Sequence, residues 1–101
     1  MKIFLKRLGG FTGIPVIISI DTDQLDPQTK KILEEMVAST QFFSLPPKIQ
    51  SANPGADRFV YRITVEALDA SHTVEVSEAS MPEGLQSLIQ RVTLIGRLKP
   101  K

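Results

Sequence analysis

The stretch Asp57-Arg58-Phe59-Val60-Tyr61-Arg62-Ile63-Thr64-Val65-Glu66-Ala67-Leu68 decides the fold of this chain. Phe59, Tyr61, Ile63 and Val65 alternate with Arg58, Arg62, Thr64 and Glu66, and Val60 is the exception. Successive side chains of a strand point to opposite faces, so this pattern predicts a strand with one buried and one wet face. Ser71 to Ser77 repeats it, with Thr73, Glu75 and Ser77 opposite His72, Val74 and Val76. The short Asp69-Ala70-Ser71 link joins the two as a hairpin. Half-polar strands of this kind belong to antiparallel sheet that packs on one face only.

Upstream, Lys48 to Ala56, with Asn53-Pro54-Gly55 inside it, reads as an exposed loop. In Phe42-Phe43-Ser44-Leu45-Pro46-Pro47 the phenylalanines are expected to close the core and the prolines to end regular structure. Before that, Asp26-Pro27 opens a helix: the carboxylate can accept from the first free N–H groups, and proline fits the first helical position. Ile32, Leu33, Met36 and Val37 form its apolar stripe. Lys30, Lys31, Glu34 and Glu35 form its wet face, with Lys31–Glu35 or Lys30–Glu34 as surface pairs. Downstream of the hairpin, Met81-Pro82-Glu83-Gly84 starts a second helix with Ser80 as its cap, and Leu85, Leu88, Ile89 and Val92 are its stripe.

The N-terminal quarter is a second hairpin. One apolar run, Lys2 to Leu8, places Ile3 and Leu5 on one face and Phe4 on the other. The next, Ile14 to Thr22, is dense in β-branched residues and expected to be largely buried, with Pro15 marking an edge or a bulge. Between them lies Arg7-Leu8-Gly9-Gly10-Phe11-Thr12-Gly13-Ile14. Glycines give the freedom a tight reversal needs. Phe11 is an aromatic where loops usually carry polar residues: either a plug folded onto its own sheet or an anchor offered to a partner. The order is therefore ββαββα, which predicts an α+β, two-layer domain, a four-stranded antiparallel sheet with two helices on one face. The order of the strands stays open, because two hairpins can pair through either edge.

With 101 residues, the chain is expected to be one domain, residues 1–101, with 96–101 a basic, solvated tail carrying Arg97, Lys99 and Lys101. A hydrophobic fraction of 42% suits a soluble globular protein. Met1-Lys2-Ile3-Phe4 lacks the apolar region of a signal peptide, so a cytoplasmic location is expected. With no cysteine, disulfides and thiolate chemistry are excluded. A formal charge of +1 with both signs scattered argues against a nucleic-acid surface.

Catalytic chemistry is largely missing. His72 is the only histidine, so a histidine-based zinc site or a Ser–His–Asp triad would have to centre on it, and a structural strand residue is the simpler reading. Asp21 and Asp23 sit at a strand end and read as turn residues rather than an acid–base pair. Gly9-Gly10-x-x-Gly13 is not a dinucleotide fingerprint, because a strand follows it where phosphate binding needs a helix N-terminus. The expectation is a protein that is not an enzyme, holds no metal or cofactor, and works by binding.

Several motifs resemble the emfourin family: Met1-Lys2-Ile3, Arg7-x-Gly9-Gly10-Phe11-x-Gly13, Phe42-Phe43-x-Leu45-Pro46 and Tyr61-x-Ile63-Thr64-Val65. His72-Thr73-Val74 and Met81-Pro82 extend the likeness, in the same order, to nearly the whole chain. Emfourin is the small protein inhibitor of protealysin, a thermolysin-like zinc metalloprotease. The resemblance implies a bacterial or archaeal protein, monomeric when free, that blocks such an enzyme's active site in a 1:1 complex, often inside the cell. Gly9, Gly10, Phe11, Thr12, Gly13 and Ile14 are the candidate protease-binding residues, with Phe11 or Ile14 filling an apolar pocket of the enzyme. Asn53 in the long loop, and Arg58 and Arg62 on the wet strand face, are secondary candidates. Two other classes compete: a protein–protein module or subunit without a protease target, and a small-ligand domain with a cavity between helices and sheet.

Overall fold

A computed structural model describes residues 1–9, 16–49 and 59–98. Strands β1 (Lys2–Gly9) and β2 (Val16–Asp21) are followed by helix α1 (Pro27–Ser39). Strands β3 (Lys48–Ile49), β4 (Phe59–Glu66) and β5 (Ser71–Ser77) precede helix α2 (Glu83–Leu98). The class is α+β, as the alternation predicts, but the sheet has five strands in the order β2-β1-β4-β5-β3. It is mixed rather than purely antiparallel. Lys48 and Ile49, expected in a loop, pair in parallel with Glu75 and Val76 of β5. Two residues are too few for an alternation to register in the sequence.

β1 decides the strand order. It pairs antiparallel with β2 from Lys2↔Asp21 to Arg7↔Val16, and with β4 from Lys2↔Glu66 to Gly9↔Phe59. The register lines up apolar residues across the sheet. One row holds Ile20, Ile3 and Val65; the next holds Ile18, Leu5, Ile63 and Val74. These rows meet Leu33 and Val37 of α1 and Leu85, Leu88, Ile89 and Val92 of α2 in one core, completed by Phe42. Each such buried side chain contributes roughly 1.5–3 kcal/mol. The opposite face is open and polar. Thr64 and Thr73 hydroxyls lie 2.9 Å apart there, and Arg62 and Lys48 both pair with Glu75, at 3.0 and 3.7 Å.

The first helix forms as its sequence predicts. Asp26 accepts from the backbone N–H and hydroxyl of Thr29 at 3.0 and 2.7 Å, and Pro27 occupies the first turn. Lys31 stands 4.0 Å from Glu35, but Lys30 pairs with Asp23 at 2.8 Å rather than with Glu34. Asp21 is a turn residue, as expected: it accepts from the N–H of Asp23 at 3.0 Å and caps a short 3-10 turn, Thr22–Gln24. Thr22, fully buried, anchors that turn by donating its N–H and hydroxyl to the carbonyl of Met1.

Several expectations need correction. The second strand begins at Val16, and Ile17 on its open face is 69% exposed, so it is not buried throughout. In a two-layer domain the helices cover only one face of the sheet, and Ile17 points to the other. Phe42 is fully buried, but Phe43 is 39% exposed and packs edge-on to Phe42 with ring centres 5.9 Å apart. With about three residues per turn, consecutive side chains in a 3-10 turn point about 120° apart, and here Phe42 takes the inward direction. Ser80 does not cap α2; it lies in a separate 3-10 turn, Glu78–Ser80. The strand expected to reach Leu68 stops at Glu66, and Leu68 is solvent-exposed in the link to β5. Helix α2 continues through Leu98, into the segment expected as tail.

α2 approaches the sheet closely at Gly96. A Cβ built there would lie 2.7 Å from Cγ2 of Ile18. That methyl belongs to a β-branched side chain with one stiff rotamer in its setting, so it cannot swing aside cheaply. In an open helix Gly→Ala stabilises by roughly 1 kcal/mol. Here Gly96→Ala is expected to destabilise by about 1–3 kcal/mol, the usual range for overpacking, with Ile18→Ala partly rescuing it in a denaturant-melt double-mutant cycle.

Two carboxylates near the start of α1 are held toward their charged forms. The bond from Lys30 holds the Asp23 carboxyl below its ordinary value, and the bonds from Thr29 do the same for Asp26. A lowered carboxyl pKa gives stability that is present above the ordinary carboxylate range and lost as pH falls through the lowered value. Thermal melts of Asp26→Asn should therefore lie below wild type above about pH 4 and converge with it as the pH falls further.

Candidate functional site

Both segments that carried the sequence candidates leave the sheet from one end. Residues 10–15 join Gly9 of β1 to Val16 of β2. Residues 50–58 join Ile49 of β3 to Phe59 of β4, and Phe59 stands opposite Gly9. Gly9 has φ 99°, a left-handed conformation that a side chain would strain. Gly10, Phe11, Thr12, Gly13 and Ile14 lie outside the described residues, as do Asn53 and Arg58. Arg62 is described, and it does not join that end. It sits on the open face beside Lys6 and is held by Glu75.

The strands that carry the turn are firmly held. β1 is paired along both sides, so the hairpin end is fixed by ladders on either flank. β2 is an outer strand. At the turn end, the Arg7 guanidinium lies over the Phe59 ring, 4.6 Å from its centre, tying β1 to β4 by a cation–π contact.

Next to this contact is a cavity of about 620 Å³, between the sheet and the C-terminal half of α2. Leu5, Ile18 and Tyr61 line it from the sheet, Ile89 and Leu94 from the helix, and Arg7 is at its rim. A cavity between helices and sheet is the feature expected of a small-ligand domain, but this one is lined mostly by apolar residues, and Arg7 is expected from the sequence only as the start of the turn motif. A signal was present: after Ile3 and Leu5, the strand's alternation assigns position 7 to the covered face, where an apolar residue is expected.

His72 has the structural role expected of it. Its Nε2 lies 2.8 Å from the Leu45 carbonyl oxygen, and because a carbonyl only accepts, Nε2 carries the proton. The ring also packs edge-on to Phe42, centres 5.6 Å apart. Among the described residues, no cluster of three His, Asp or Glu side chains is placed to hold a metal ion. No helix among them is long and apolar enough to cross a membrane.

A family model for emfourin matches residues 5–93, from the middle of β1 to the last third of α2. The chain belongs to the emfourin family. No curated protein and no solved structure matches it. Membership brings a protease-inhibitor role in general terms, and with it a protease as partner. The matched range includes both hairpins, so the turn end of the sheet lies within what this emfourin shares with its family.

His72 also ties the segment after α1 to β5, across twenty-seven residues of chain. Replacing it with Ala leaves the Leu45 carbonyl without its donor and opens space against Phe42. His72→Ala is expected to cost about 1–3 kcal/mol in chemical denaturation, while protease inhibition by the folded variant stays at the wild-type level.

Proposed function

We propose that this emfourin inhibits a thermolysin-like zinc metalloprotease by seating its Gly9–Ile14 turn in the active-site cleft. Family membership carries the reading. The enzyme supplies the zinc, and the inhibitor supplies shape. Such a partner is met inside a bacterial cell and bound one to one, as the resemblance to the protealysin inhibitor implies.

The physical argument starts from preorganisation. A loop loses conformational entropy when a cleft immobilises it, and a segment clamped at both ends loses less. Here the turn leaves from β1, which is laddered on both sides, and returns to β2. Glycines at positions 9, 10 and 13 allow a close backbone approach, and Phe11 offers a large apolar side chain between them. Aromatic anchors at the centre of an interface commonly carry much of its energy. Standard protease–inhibitor contacts take roughly 800 Å² from each partner. A domain with 6650 Å² of accessible surface can give that from one end.

The test is a titration against a thermolysin-like protease encoded beside this chain, read with a short peptide substrate. Stoichiometric loss of activity that excess substrate relieves is the expected outcome, and full activity at large inhibitor excess would remove the reading. Phe11→Ala should then weaken inhibition by about thirtyfold or more, equivalent to the ~2 kcal/mol of a central anchor. A change within twofold would assign the anchor elsewhere.

A further inference from the structure

Arg7 breaks the pattern of the sheet's covered face. Each row of that face is apolar where it crosses β1, at Ile3 and at Leu5, until the row of Val16, Arg7, Tyr61 and Val76. A cation on a face that a helix covers is costly unless it is paired or wet. Among the described residues no carboxylate lies within salt-bridge distance of Arg7. Its described neighbour is the Phe59 ring, whose centre is 4.6 Å from the guanidinium carbon, and a guanidinium stacked in this way presents its N–H donors edgewise to a planar acceptor.

The cavity beside it has matching chemistry. Arg7 is the one charged side chain among its described lining residues, and no Asp or Glu is among them. Polar contributions come from Tyr61, Gln90 and Thr93, and the Thr93 hydroxyl is already committed to the Ile89 carbonyl at 2.8 Å. The remainder is apolar and partly open. Leu94 at the helix side is 49% exposed, whereas Leu88 and Val92 of the same helix are fully buried. An apolar hollow with a single fixed cation at its rim favours an occupant that is apolar and bears one negative charge.

The position indicates whose group that is. Arg7 and Val16 both line the cavity and form the last paired residues of the β1–β2 ladder before the turn. The rim is therefore immediately next to the two residues from which the turn departs and to which it returns. We propose that Arg7 and the cavity form a second contact with the inhibited protease, taking an Asp or Glu carboxylate of the enzyme on the guanidinium and an adjoining apolar side chain against Ile18 and Leu94. The inference rests on the inhibitor reading and extends it from the turn to the helix side of the sheet. Charge complementarity makes this contact selective, because an enzyme with a basic residue there would be repelled.

Two variants of the full chain test it against the same protease: Arg7→Gln, which removes the charge, and Leu94→Gln, which changes only a half-exposed side chain. Inhibition constants are measured at low and high salt, with circular dichroism as the check on folding. Arg7→Gln is expected to weaken inhibition about tenfold or more at low salt, the scale for truncating one partner of an interfacial ion pair, and to flatten the salt dependence of the wild type. Leu94→Gln is expected to weaken it at least about fivefold, as loss of apolar burial implies, with an unchanged melt. Folded variants that both inhibit within twofold of wild type would overturn the second contact and leave the inhibitor reading standing. Weakening by Leu94→Gln alone would overturn the carboxylate assignment. If Arg7→Gln fails to fold, Leu94→Gln decides the apolar contact and the wild type's salt dependence decides the charge: inhibition that salt does not weaken would overturn the carboxylate assignment. A wild type that inhibits nothing removes the reading and this contact together.

Discussion

The position of β1 is the constraint on which the rest of the structure depends. The first strand of the chain becomes an inner strand, laddered to β2 on one side and to β4 on the other. Long-range pairing between Ile3 and Val65, or Leu5 and Ile63, costs loop-closure entropy. That cost is offset because the pairing places both residues under the helices, where they are almost wholly removed from water. With β1 paired to β4 as well as to β2, β2 is the outer strand on one margin and β5 lies toward the other. The two-residue β3 covers part of that margin, which shortens an edge otherwise open to unwanted pairing.

The same arrangement gathers the candidate binding segments at one end. β1 and β4 are antiparallel, so the finish of β1 stands beside the start of β4. The segments 10–15 and 50–58, forty residues apart in the chain, therefore depart from neighbouring positions. Arg7 and Phe59 meet there for the same reason. The sheet thus sets the end of the first hairpin, the Arg7–Phe59 contact and the apolar hollow beside one another. Arg62 belongs to a different surface, because its parity along β4 turns it to the open face and to Glu75.

Much of this was legible in the residues. The alternation through Phe59–Glu66 and Ser71–Ser77 identified the strands and their wet faces, because a period of two has one physical source. Asp26-Pro27 located the start of α1, because Asp26 accepts from the free N–H of Thr29 while proline at the first position has no N–H to satisfy. The family motifs gave membership, because they recur in order along the chain. Boundaries were less readable. Ser80 has the chemistry of a cap but folds into its own 3-10 turn, and Lys30 has a carboxylate at helical spacing yet reaches Asp23 instead. A local rule names the groups able to interact, and the nearest partner in space decides among them.

By itself the sequence determined the elements, the two-layer class, the absence of thiol chemistry and the family. These follow from side-chain periodicity, backbone preference and residue inventory, all of which act within a few residues of chain. Only the tertiary structure decided the strand order, the parallel pairing of Lys48–Ile49 and the exposure of Ile17 and Phe43. It alone showed that Gly96 is where α2 presses on Ile18, and that Arg7 stands over Phe59 beside an apolar hollow. Those features depend on which distant surfaces share a core, and burial is a property of the assembled layers rather than of any stretch of sequence.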